Sequence, residues 1–164
     1  MKWISLMLLS GMLTMNCQNT ADASADLGNG NTPVADDLPA PADETAEISL
    51  NGVRHTLVHK YDCKGGTTGI GFAKVAFGEP TLFLHGVDLN ATGNITIKSN
   101  TNPLAWHMDV DDVGGTWVTK AAGCSAAVVE NTATTFALKA VACPIERTSG
   151  EGTLSFRLRC TKGT

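Results

Sequence analysis

Apolar residues recur at every second position over several short runs of this chain, and glycine, asparagine and proline separate the runs. Over 104–111, Leu104, Trp106, Met108 and Val110 share one face of an extended chain, with His107, Asp109 and Asp111 on the other. Over 153–160 the inward set is Leu154, Phe156, Leu158 and Cys160, against Ser155, Arg157 and Arg159. Val53, His55, Leu57, His59, Tyr61 and Cys63 share one face of a first long strand, and Ile95 with Ile97 marks a short one. Further strand candidates are 69–77, 81–89, 115–120, 125–130 and 135–143. Turn signals stand between them at 64–66, 78–80, 90–94, 113–115 and 149–152. No long helical period occurs. The pattern predicts an all-β domain, a single antiparallel β-sandwich of about eight or nine short strands.

The phase of the cysteines sharpens this expectation. The chain holds five cysteines, and Cys63, Cys124, Cys143 and Cys160 fall within the β region. A structural zinc site wants C-x₂₋₄-C spacing, whereas the nearest of these, Cys143 and Cys160, have sixteen residues between them. Disulfides are the expected use of an even number of cysteines in an exported chain. Cys63 ends the first long strand and Cys160 the last, so a bridge between them is sterically reasonable. Cys124 and Cys143 flank two strands joined around residues 131–134, where a bridge would staple a hairpin. The expected pairing is Cys63 with Cys160 and Cys124 with Cys143.

Cys17 stands apart from these four. It follows a short apolar run, 3–15, opened by Met1 and Lys2, and that run falls well short of the ~20 residues needed to span a bilayer. Residues 1–16 therefore read as a lipoprotein-type signal peptide, with Cys17 as the lipidated residue. The box before the cysteine, Thr14-Met15-Asn16, departs from the usual form, in which a small residue precedes the cysteine. Cleavage after Ala23 or Ala25 is the alternative, since both close small-x-small triplets; it would give a periplasmic or secreted product. Gln18 directs a lipoprotein of this type to the outer membrane if the host is Gram-negative.

From 17 to 47 the composition shifts to seven acidic residues with no Lys, Arg or aromatic, and Pro33, Pro39 and Pro41 among them. Such a tract has too little apolar surface to offset the entropy of ordering, so it reads as an acidic tether with a coil reach of roughly 30 Å. Residues 48–164 form the β domain, carrying eleven basic and nine acidic residues, a net charge of +2. No basic stretch interleaved with aromatics occurs, which argues against nucleic acid as a partner.

With Cys17, a polar tether and a β domain that opens on Ile48-Ser49-Leu50-Asn51-Gly52 and closes on Phe156-Arg157-Leu158-Arg159-Cys160, the chain resembles the mycobacterial 19-kDa lipoprotein antigen family. The resemblance covers the architecture and the two ends of the domain. It implies a small β-sandwich on a lipid anchor, a cysteine pair joining first and last strands, and no catalytic residues. Cys124 and Cys143 depart from that pattern.

Candidate sites are few. His55 and His59 lie some 13 Å apart along a strand, at ~3.3 Å per residue, too far to share a metal. The run Asp109-Val110-Asp111-Asp112 is oxygen-rich, but lacks the spacing of a calcium loop and reads as a solvated strand end. Residues 64–71 are glycine-rich, yet strand rather than helix follows, so they read as a hairpin turn and not a phosphate cradle. No G-x-S-x-G, H-E-x-x-H or P-loop motif occurs, and the residues call for no metal or cofactor. Trp117 and Tyr61 are the candidates for a ligand-binding aromatic face, Trp106 reading as core. The expectation is a non-enzymatic envelope protein attached to the membrane through Cys17, with a binding or structural domain. A small-ligand or carbohydrate-binding module is the alternative, and a secreted hydrolase ranks third.

Overall fold

A computed structural model describes residues 38–61, 63–66, 69–73, 80–99 and 104–163. Cys17, residues 1–16 with their expected signal peptide, and most of the acidic tract lie outside the described residues. Ten strands follow in chain order: β1 (Thr45–Leu50), β2 (Val53–Tyr61), β3 (Ile70–Ala73), β4 (Thr81–His85), β5 (Asn94–Ile97), β6 (His107–Asp112), β7 (Gly115–Thr119), β8 (Cys124–Asn131), β9 (Thr135–Arg147) and β10 (Gly150–Thr161). All named pairings between them are antiparallel, and no helix occurs among the described residues. The all-β expectation holds; the sandwich does not.

The order β10-β1-β2-β3-β4-β6-β7-β9 returns to its start because β9 also pairs with β10, so eight strands close into a barrel. Period-two alternation suits either architecture, since both bury one face of every strand. What separates them is closure, and here it rests on two residue pairs between β7 and β9, Val118 with Glu146 and Thr119 with Ile145. The Lys120 amide extends that seam by donating to the Pro144 carbonyl at 3.0 Å. The first half of β9 takes β8 as its neighbour instead, β5 pairs with β8, and the Lys98 amide reaches the Trp106 carbonyl at 2.7 Å. The β5–β8 pair thus forms a flap beside the barrel seam.

Inward alternation fills the interior. Ala46 and Ile48 of β1, Leu57 of β2, Phe72 of β3, Leu82 and Leu84 of β4, and Leu138 and Phe156 of β9 and β10 are buried in one core. Both expected disulfides are present. Cys63–Cys160 joins the start of the β2–β3 connection to the last strand at a Cα separation of 5.9 Å. Cys124–Cys143, at 5.1 Å, sits where β9 passes from β8 to β7 as its neighbour. It therefore ties the flap to the barrel at the fork.

Three local outcomes differ from expectation. Strand β6 starts at His107, not at 104, and Leu104 lies in a turn, 77% exposed. Its partner β4 ends at His85 because Gly86 turns away at φ +63°, so no ladder remains ahead of His107. Second, β9 runs past Cys143 to Arg147, carried by a bulge in which the Ala142 amide donates to Ser155 Oγ at 2.9 Å. Third, β1 begins at Thr45, and Leu38 is already buried, so the barrel claims residues assigned by composition to the tether. Their acidic groups are matched by barrel groups: Asp43 pairs with Arg159, and Glu44 with His59 and the Thr161 amide. The Leu38 carbonyl accepts from Arg157 at 2.7 Å.

Candidate metal centre

On the outer face of the barrel the antiparallel register of β4 and β6 sets His85 directly opposite His107, and Phe83 opposite Asp109. Leu82 and Leu84 of β4, with Met108 and Val110 of β6, take the inward positions, so Phe83, His85, His107 and Asp109 are left on one outward face. His85 and His107 stack with ring centroids 4.7 Å apart and planes inclined by 14°. Asp109 Oδ2 lies 3.6 Å from His85 Nε2. One ligand atom from each of His85, His107 and Asp109 falls within 4.8 Å of the others. Among the described residues this is the one group of three histidine, cysteine or carboxylate side chains so arranged.

The segment before β6 fixes one of the imidazoles. His107 Nδ1 is 2.9 Å from the Ala105 carbonyl, which can only accept, so Nδ1 carries the proton and the neutral ring keeps its lone pair on Nε2. That carbonyl comes close because residue 86 is glycine: a Cβ there would stand 2.2 Å from Ala105 O. His107 is 6% exposed, whereas the His85 and Asp109 side chains remain 29% and 19% exposed. The site thus has a buried floor and an open rim.

Burial pushes the Asp109 carboxyl above its ordinary value; the nearby His85 and His107 oppose the shift, and Asp111 adds to it. Asp109 Oδ1 is buried and finds no hydrogen-bond partner among the described residues. The two other carboxylates of the run are used differently. Asp111 Oδ1 accepts from Thr116 Oγ1 at 2.6 Å. Asp112 accepts from the Gly114 amide at 2.6 Å, from Trp117 Nε1 at 2.8 Å and from Arg147 Nη1 at 2.9 Å. Burial would raise the Asp112 pKa, but these donors outweigh it and hold the carboxyl below the usual aspartate range. Asp112 is therefore a brace between the β6–β7 turn and the end of β9.

Other sequence candidates separate from this face. Trp117, a candidate ligand-face aromatic, points inward and is 5% exposed, with the Arg147 guanidinium 4.0 Å above its ring. Its N–H is already committed to Asp112, so neither its faces nor its polar edge remains for a ligand. Tyr61 closes β2, and its side chain lies outside the described part of the structure. Trp106 packs on the core and stacks with Phe136 at 6.2 Å, as its reading as core requires. His59 is taken up by Glu44 and by Phe72, whose ring centroid is 5.3 Å away, while His55 sits opposite Ile48 on β2.

His85 was not among the sequence candidates. The alternation of Phe83 with His85 on a polar face was visible, but its register against His107 is a tertiary fact. Two imidazole nitrogens and one carboxylate oxygen make a donor set for borderline divalent metals rather than for calcium or magnesium, which take oxygen. No family model, no curated protein and no solved structure matches this chain.

Proposed function

We propose that the chain is an exported lipoprotein, attached to the envelope membrane through Cys17 and presenting the barrel as a non-catalytic binding or structural domain. The observation that carries this reading is cysteine usage: the four cysteines of the barrel are closed in two disulfides, and the fifth, Cys17, follows an apolar run too short to span a bilayer. Two structural disulfides favour an oxidising compartment. An acidic segment between Cys17 and Leu38 leaves room for the barrel to stand off a membrane. The order of lipidated cysteine, tether and β domain with a first-to-last cysteine pair is also what resembles the mycobacterial 19-kDa lipoprotein antigen family.

Membrane affinity accrues at ~0.8 kcal/mol per buried methylene, so one acyl chain holds a protein only marginally and stable attachment takes more than one. In a Gram-negative host Gln18 places the anchor in the outer membrane. The absence of hydrolase and nucleotide motifs supports a binding or structural role, and the burial of Trp117 removes one aromatic from a sugar-binding face. The test is radiolabelled palmitate incorporation together with globomycin treatment. Labelling that disappears in Cys17→Ala, and a precursor that accumulates with globomycin, are expected. A soluble, unlabelled product starting after Ala23 or Ala25 overturns the anchor.

A further inference from the structure

We infer that His85, His107 and Asp109 form a binding site for one divalent transition-metal ion of the zinc class on the outer face of the barrel, independent of how the chain is anchored. Sheet geometry builds the triad. A directly opposed cross-strand pair brings two side chains to about 5 Å at Cβ, and a residue two positions along one strand lies diagonally from the other, within reach of a long side chain. His85 and His107 are the opposed pair, and Asp109 is the diagonal partner of His85. Bonds of ~2.0–2.2 Å in a tetrahedral shell place ligand atoms ~3.3–3.6 Å apart. His85 Nε2 and Asp109 Oδ2 already stand at 3.6 Å, and all three ligand atoms lie within 4.8 Å. Side-chain rotations of about an ångström, with no movement of the strands, complete the convergence.

Two further observations point to a ligand. Metal-binding histidines characteristically donate their other ring N–H to a carbonyl or carboxylate, which fixes the tautomer and raises the basicity of the free nitrogen. The bond from His107 Nδ1 to the Ala105 carbonyl does this, and Gly86 supplies the clearance that lets the carbonyl approach. The second is the buried Asp109 Oδ1, which has no hydrogen-bond partner among the described residues: a cation against this carboxylate would compensate it.

The donor set decides the metal. Calcium takes six to eight oxygen ligands and magnesium an octahedron of oxygens, whereas two imidazoles and a carboxylate suit zinc and its neighbours. Three protein ligands leave a fourth position, which opens to solvent at the partly exposed His85 and Asp109 side chains.

Isothermal titration of the purified, tag-free full chain with zinc chloride tests the site, with cobalt chloride as an optical probe. One equivalent of zinc should bind, cobalt should give the visible absorption of a low-coordinate N/O site, and calcium or magnesium in excess should not compete. His85→Gln and Asp109→Asn should each weaken zinc binding at least tenfold, while His55→Gln leaves it unchanged. Both ligand substitutions are at partly exposed positions, and circular dichroism with a thermal melt checks their fold. No zinc binding by the folded chain, equal affinity in His85→Gln and Asp109→Asn, or effective competition by calcium would each overturn the site. Where one substitution unfolds the chain, the other decides, because each removes a different ligand.

Discussion

At the scale of single residues, close approach and unused lone pairs matter more here than residue type. Gly86 shows the first: it sits at φ +63°, and a Cβ would meet the Ala105 carbonyl at 2.2 Å. Gly86→Ala must strain the backbone or push that carbonyl away, at a cost of at least about 2 kcal/mol. Urea unfolding should show the loss, and a variant as stable as the parent would contradict the packing described. The histidines show how unevenly such facts can be read in advance. His107 and Asp109 were visible as same-face neighbours from alternation within one strand. His85 was not, because its partners lie across a strand pairing between segments more than twenty residues apart. Trp117 failed as a ligand-face candidate for a related reason: alternation alone left its direction open, and only the pairing with Val110 turns it inward.

Among elements, the long strands with a clear apolar alternation were the legible ones. The inward set Leu154, Phe156, Leu158 and Cys160 is buried in β10, which pairs with β1 on one side and β9 on the other, while Ser155, expected outside, is buried at the bulge. The false start of β6 at Leu104 fitted the same pattern equally well; what ends the strand is the loss of its neighbour at Gly86. Asn51 and Gly52, both at positive φ, form the two-residue turn that joins β1 to β2, a favoured sequence for a tight hairpin. The β6–β7 hairpin depends on Asp112, which serves Gly114, Trp117 and Arg147 together. Asp112→Ala should cost about 2–3 kcal/mol, since it strands a buried indole N–H and removes charge-assisted bonds. The pH dependence has a definite sign. The folded-state pKa of Asp112 is depressed, so its contribution is complete above the unfolded value of about 4 and fades as pH falls through the lower folded value. The stability gap between parent and Asp112→Ala should therefore narrow from pH 7 to pH 3, as read by urea unfolding; a gap that widened would exclude this assignment.

For the whole molecule, the all-β class and two disulfides were within reach of the sequence, while the closure of the sheet and the tenth strand, β1, beyond the eight or nine expected, were not. Every strand buries one face in a barrel as in a sandwich, and the difference here comes down to the short β7–β9 seam. The disulfides guard different parts of that architecture. Cys63–Cys160 spans 97 residues and Cys124–Cys143 spans 19. In the chain-entropy model these loops correspond to about 4–5 and about 3 kcal/mol. Replacing both cysteines of the long-range pair by alanine should thus lower stability more than replacing both of the flap pair; denaturant midpoints in the reverse order would show that native-state effects at the fork outweigh loop entropy. Disulfide closure also bears on where the chain works, because it leaves Cys17 as the one cysteine outside the barrel pairs. Non-reducing mass spectrometry of the mature protein from its native host tests that most directly. The account predicts an N-terminal peptide that begins at an acylated Cys17, with Cys63 linked to Cys160 and Cys124 to Cys143; an unacylated N-terminus at Ser24 or Asp26 would contradict it.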